Sequence, residues 1–371
     1  MRFLIAPNSF KNSLPAWEVA DAIEKGILSV KPLATILKRP IADGGDFTME
    51  VLVKALNGDK KSFHAEDPLG RPIMADIGFI KRGSIAIIEM ASASGLRLLA
   101  PNEYDPMKAS SFGTGQLIKY AIDSGAKEIV LTIGGSATVD GGIGLLSSLG
   151  FGFISDSGNA VAPNGSGLSE IVSIETYEVD DSIKQCKFTV LCDVENTLLG
   201  DFGAAAVFGP QKGADPQMVI HLDDGLKRLN KATIAHLGID MSRLKGGGAA
   251  GGVGATMSAF LNAHLVSGAE YVIETLSIEN EIGNMDYVIT AEGRIDEQTQ
   301  DGKAPAVIAK LAAKYDVPTI ALSGQVAPNL KTELFRAIFP IINEPTSLEK
   351  AFETTEENLQ RTASQIANLL S

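Results

Sequence analysis

The sequence predicts an α/β protein with mainly parallel sheets and two domains. Three observations carry that expectation. Short apolar runs alternate with segments of helical periodicity, each run closes on a polar or glycine-rich cluster, and 371 residues exceed what a single hydrophobic core usually supports. An unbroken apolar run is the mark of a strand buried on both faces, and ligands of parallel sheets gather beyond the strands' carboxyl ends.

Phe3 to Ala6 is the first such run, and Pro7 ends it. The polar stretch from Asn8 to Ser13 leads into Val19, Ile23, Ile27 and Val30 at helical spacing, with Ser13 as N-cap and Pro15 in the first turn. Ile85 to Met90 closes on Ala91 to Gly95, and Ile129 to Ile133 closes on Gly134-Gly135-Ser136-Ala137-Thr138 before a helix over Ile143 to Leu149. Phe188 to Cys192 ends at Asp193. Tyr287 to Thr290 is expected to end before Glu292, and Thr319 to Leu322 before Ser323-Gly324. No Pro/Gly/Ser linker separates two halves, so a domain nested inside another is as consistent with the chain as a tandem pair.

Composition narrows the function. With 45% hydrophobic and 21% charged residues the chain is an ordinary soluble globular protein. A net charge of −13 opposes nucleic acid as a partner, because phosphate-backbone attraction needs a basic surface. A small anionic substrate is still allowed, since a few Lys and Arg residues and helix N-termini can make a local positive pocket. Cys186 and Cys192 make no disulfide scaffold, and no signal peptide or membrane-spanning apolar run is visible, so a cytoplasmic protein with no membrane partner is expected.

Several clusters could carry chemistry. Gly134 to Gly142 follows an expected strand and opens an expected helix, the setting in which free backbone N–H groups hold phosphate. It lacks the Lys of a Walker A loop, and a tight strand-to-helix turn is the alternative reading. Gly246, Gly248 and Gly251 match a dinucleotide fingerprint in spacing only. No apolar strand precedes them, so a flexible loop before a helix over Ala255 to Leu265, or a plain linker, is the better reading. Asp43-Gly44-Gly45-Asp46 and Lys11 place carboxylates and a cation at early strand ends, where they could hold Mg²⁺, accept a proton or neutralise a phosphoryl group. Glu292, Arg294, Asp296 and Lys303 alternate in sign after another strand. Arg suits bidentate contact with phosphate or carboxylate, though a surface ion-pair network has the same composition. Asp193 could be a general base at a strand's carboxyl end or a turn cap. The four histidines match no metal-ligand spacing, and no Gly-x-Ser-x-Gly elbow occurs.

Assembled, these motifs resemble the bacterial type I glycerate kinases almost from end to end. The likeness is carried by Ala6 to Lys11, Ala42 to Gly45, Glu89 to Leu96, Ser111 to Gly115, Ile133 to Gly142, Cys192 to Val194, Phe208 to Gly213, Gly248 to Gly252, and Glu292 to Asp296 with Gly302-Lys303. It implies ATP-dependent phosphorylation of D-glycerate, with Mg²⁺, giving 2-phosphoglycerate. It also implies a flavodoxin-like three-layer domain formed by both chain ends (1–80 with 280–371) and an inserted α/β domain (81–279). On this reading Lys11, Asp193, Arg294 and Asp296 are catalytic. Ser9, Asp43, Gly44, Gly134, Gly135, Ser136, Glu292 and Lys303 bind substrate or phosphate, and Asp43 and Asp193 hold the metal. The chain departs from the family's usual residues at Asn8 (Asp), Asp46-Phe47 (Glu-Gly), Val139 (Asn) and Ala291 (Gly). A nicotinamide-dependent hydroxy-acid dehydrogenase and a non-catalytic binding protein on the same fold are the competing readings, and oligomeric state is left open.

Overall fold

The computed structural model describes residues 1–300 and 302–370. Its strands are β1 (Arg2–Ile5), β2 (Thr35–Lys38), β3 (Asp59–Glu66), β4 (Pro72–Ile80), β5 (Ile85–Glu89), β6 (Glu128–Thr132), β7 (Gly152–Ile154), β8 (Ser173–Glu175), β9 (Lys187–Leu191), β10 (His264–Val266), β11 (Tyr287–Ile295), β12 (Thr319–Val326) and β13 (Ala337–Pro340). The chain divides into two compact units, one of Met1–Asp43 with Ser267–Ser371 and one of Gly44–Val266. Among the described residues no helix is long and apolar enough to cross a membrane.

In the first unit the five strands are all parallel and lie in the order β13-β12-β11-β1-β2. Counted within the unit this is 2-1-3-4-5, the flavodoxin order, whose switch point lies between β1 and β11. Phe3, Ile5, Ile289 and Ile320 are buried against the helices Ala16–Leu28 and Thr355–Leu369, while Ile295 and Ala321 pack with Ala309 of the helix Ala304–Ala313. Helix, sheet and helix form the three layers. Ser13 does not cap the first helix. Pro15 occupies the N-cap position, and the Ser13 hydroxyl instead donates to the Phe352 carbonyl at 2.9 Å and meets the Thr355 hydroxyl at 2.8 Å.

One strand end differs from expectation in a way that matters for chemistry. β11 continues to Ile295 because β12 runs alongside it, pairing Glu292 with Ser323 and Arg294 with Gln325. Glu292 and Arg294 therefore stand on the strand itself, not in the loop after it.

The second unit holds a mixed six-stranded sheet in the order β10-β9-β6-β5-β4-β3. β3, β4 and β5 pair antiparallel, and β5, β6, β9 and β10 pair parallel. β7 and β8 form a separate antiparallel pair. Ile88, Ile129, Leu131 and Val190 from the sheet share one core with Leu117 and Ile118 of the helix Phe112–Asp123 and Leu226 and Leu229 of the helix Pro216–Leu237.

The glycine-rich segment before the helix Val253–Leu261 is neither a flexible loop nor a dinucleotide turn. Gly246 to Gly254 is buried throughout, turns rather than a strand precede it, and the Gly251 carbonyl accepts the Gly141 N–H at 2.9 Å. The helix stops at Leu261 because Asn262 takes a left-handed cap at φ 50°, which frees His264–Val266 to join the sheet as β10. Gly251 has φ 70°, and a Cβ there would lie 2.2 Å from the Thr138 carbonyl oxygen. Gly251→Ala is therefore expected to combine a left-handed penalty of about 1–2 kcal/mol with a backbone clash. Thermal unfolding followed by circular dichroism should show a transition lowered on the order of several degrees.

Candidate active site

In the first unit the polar loops meet at the switch point. The Asn8 N–H donates to the Ala291 carbonyl at 2.8 Å, and the Thr290 hydroxyl donates to the Ala6 carbonyl at 2.8 Å, so β1's exit loop is fixed to β11. The Asn8 amide then serves two ends. Its Oδ1 accepts the Ser9 N–H at 2.8 Å, and its Nδ2 donates to Asp43 Oδ2 at 3.2 Å. At this position an amide can donate to a neighbouring carboxylate, which an ionised Asp could not do. Lys11 lies on the exposed stretch of the same loop.

Across β11 the charges form a linked set. The Thr299 hydroxyl donates to Glu292 Oε1 at 2.6 Å and accepts the Asp296 N–H at 3.1 Å, while the Thr299 N–H donates to Asp296 Oδ1 at 3.3 Å. This turn fixes the Asp296 carboxylate, which sits 3.1 Å from Arg294 Nε and 4.0 Å from Lys303 Nζ. The Arg294 side chain remains 61% exposed, so it can still turn to an incoming anion. Glu292 is buried, and that burial pushes its carboxyl up to about 7; Asp43 and Asp296 add to the rise, while Thr299 and Lys303 oppose it. Asp43, Asp296 and Lys303 thus all act electrostatically on Glu292, although Asp43 is distant from it in sequence.

In the second unit the loop after β6 has two parts. Gly134 and Gly135 are exposed, whereas Ser136 to Gly142 is buried. Gly135 has φ 70°, and Gly134 packs beside Gly44 and Gly45, so the four glycines lie together. The buried part is held by Asp140, which is wholly inaccessible and accepts the Ser111 N–H at 2.8 Å, the Ser111 hydroxyl at 2.6 Å and the Gly142 N–H at 3.0 Å. Burial pushes this carboxyl up, and the same donors pull it back. Val139, where the family usually has Asn, is core. Asp193 is exposed just past the carboxyl end of β9.

Beside the glycines, Arg97 Nη1 lies 3.2 Å from Asp46 Oδ1, next to a cavity of about 290 Å³ lined by residues including Phe47, Met49, Glu89, Ser92, Arg97 and Leu98. Phe47 adopts a left-handed φ of 68°, which explains why Gly suits this position and leaves Phe strained by roughly 1–2 kcal/mol. Glu89 is buried and accepts the Met49 N–H at 3.0 Å; burial pushes its carboxyl up to about 7.

Glu89, Arg97, Thr299 and Lys212 were not singled out by sequence reasoning, and Asp140 entered it only as part of the Gly134 to Gly142 stretch. Glu89 and Lys212 did stand inside the motifs that carry the family likeness, but nothing local distinguishes a buried Lys or Glu from a solvated one. Among the described residues no three His, Cys, Asp or Glu side chains cluster as a ready-made metal cage.

A flavodoxin-order sheet with a charged switch point, and a second, mixed sheet followed by an exposed glycine pair, define an α/β protein of two units. The chain belongs to the glycerate kinase family: the family model matches residues 3–371. A glycerate kinase of Bacillus cereus is 43% identical over 99% of this chain and 97% of its own length, and a glycerate 2-kinase of Escherichia coli is 40% identical over 100% and 98%. A chain from Salmonella typhimurium, whose crystal structure is described under the name glycerate kinase 2, superposes with a TM-score of 0.90 at 43% identity, covering 100% of this chain and 98% of that one.

The raised carboxyls make stability depend on pH. A Glu that binds its proton more tightly when folded stabilises the fold at low pH, and that stability is lost as pH rises from about 4.5 to about 7. Glu89→Gln keeps an acceptor for the Met49 N–H and cannot ionise. Its unfolding temperature should exceed the wild type's on the order of a few degrees at pH 8 and match it near pH 4.5, with the slope between reduced further when Glu292→Gln is added.

Proposed function

We propose that this protein transfers the γ-phosphoryl group of ATP to the 2-hydroxyl of D-glycerate, as a bacterial type I glycerate kinase of the cytoplasm. The full-length family match carries the reading, and the charge set on β11 suits the chemistry. Likeness to a relative named glycerate 2-kinase supports 2-phosphoglycerate as product.

Gly134, Gly135 and Ser136, with Gly44 beside them, present backbone N–H groups to the nucleotide phosphates. Ser9, Lys11, Arg294 and Lys303 take the glycerate carboxylate or offset charge on the phosphoryl group in transfer, and Glu292 holds Thr299 and through it the Asp296 turn. The glycerate hydroxyl oxygen bonds to the γ-phosphorus, the bond from that phosphorus to the β,γ-bridging oxygen breaks, and ADP leaves. The hydroxyl proton passes to Asp296, with Asp193 the second candidate. Mg²⁺ usually takes one or two carboxylates and completes its shell with phosphate and water oxygens, so Asp43 of the first unit, or Asp193 of the second, has the donor chemistry for it without a three-residue cage. Bound there, it would neutralise phosphate charge.

A coupled assay should show ADP release that requires D-glycerate, and phosphorus NMR should identify 2-phosphoglycerate. Asp296→Asn is expected to lower kcat by about 100-fold or more while changing the KM for glycerate far less. Unchanged turnover in both Asp296→Asn and Asp193→Asn would remove both from proton transfer, and formation of 3-phosphoglycerate would overturn the choice of hydroxyl.

A further inference from the structure

Lys212 is wholly buried in the short turn Pro210–Lys212, yet among the described residues its ammonium forms no ion pair. Nζ donates to Ser136 Oγ at 2.9 Å and to the Thr138 carbonyl at 2.7 Å. The charged group acting on it is Asp140, whose oxygens are already taken by Ser111 and Gly142. A buried cation without a paired anion costs more than an apolar side chain of the same length, so packing alone gives no reason for a Lys here.

We propose that Lys212 is a positioning residue of the phosphate loop, gathering Ser136 and Thr138 from beneath so that Gly134 and Gly135 stand out as the edge that receives the nucleotide. This rests on the reading of that loop as the phosphate site. The two acceptors lie on either side of Ala137, and one ammonium ties both, which bends the buried half of the loop and leaves the glycine pair exposed. The same ammonium places a positive charge behind that edge, where low-dielectric surroundings extend its pull on an anion. Burial brings the ammonium down to about 7, so an arriving phosphate favours its charged form and nucleotide binding takes up a proton.

The test uses steady-state kinetics on the full chain with ATP and D-glycerate. Lys212→Met should raise the KM for ATP by about tenfold or more, the loss expected for one charge-assisted hydrogen bond, with the KM for glycerate nearly unchanged. Lys212→Arg, which keeps the charge, should recover part of the loss. In the wild type the KM for ATP should climb as pH rises through about 7, and in Lys212→Met this rise should flatten. A KM for ATP and a pH profile like the wild type's in Lys212→Met would overturn the proposal. Should that variant fail to fold, calorimetry of ATP binding at pH 8 in buffers of different ionisation enthalpy compares the wild type with Lys212→Arg, which stays charged: proton uptake larger in the wild type supports the role, and equal uptake overturns it. Gly135→Val separates the two ideas. If it leaves the KM for ATP unaltered, the loop is not the phosphate site. If it raises that KM while Lys212→Met does not, only the role of Lys212 falls.

Discussion

The pairing of β1 with β11 is the constraint on which the first unit depends. It sets residues 284 apart in sequence side by side, as in the bond from Thr290 to Ala6, and every other strand of that sheet adds outward from this pair. Closing so long a loop is costly in chain entropy, though the cost grows only slowly with length, and it is offset by burial of Phe3, Ile5 and Ile289 against the helices Ala16–Leu28 and Thr355–Leu369. The pair also creates the switch point. Because β2 lies to one side of β1 and β12 to the other side of β11, the loops leaving the two central strands diverge, and Asn8, Asp43 and Glu292 fill the opening.

The second unit solves a different problem, a loop that must keep its shape while offering bare N–H groups. Two buried charged groups do this by opposite means. Asp140 collects donors from Ser111 and Gly142, and Lys212 supplies donors to Ser136 and Thr138, so the loop is held from both sides of its own backbone. Gly251 seats against Thr138 from a third direction. Buried polar networks rigidify a site where their groups are satisfied; here the Lys212 and Asp140 bonds do this, while among the described residues the Thr138 hydroxyl is left without a partner.

Much of this was legible in the residues, and the limits have physical causes. Apolar runs located β1, β5, β6, β9 and β12 because burial on both faces leaves no polar position to blur them. β11 read as ending early, since Glu292 and Arg294 are charged and only pairing with Ser323 and Gln325 keeps them in the strand. Glu292, Arg294, Asp296 and Lys303 were legible as one cluster because they are neighbours in sequence. The action of Asp43 on Glu292 was not, because it arises from strand order. Lys212 looked like any surface Lys, and the buried glycines from 246 to 254 looked flexible, since neither burial nor the Thr138 carbonyl that fills the space is written in local sequence.

The β1–β11 pairing has a consequence for how the chain is made. During synthesis β1 leaves the ribosome on the order of 15 to 60 s before its partner, at usual elongation rates across the 284 intervening positions. Through that interval the apolar faces of β1 and of the helix Ala16–Leu28 have no β11 and no Thr355–Leu369 helix to cover them. The inserted unit, whose strands pair among themselves, can fold in the meantime, leaving an unfinished amino-terminal segment that chaperones would have to shield from aggregation.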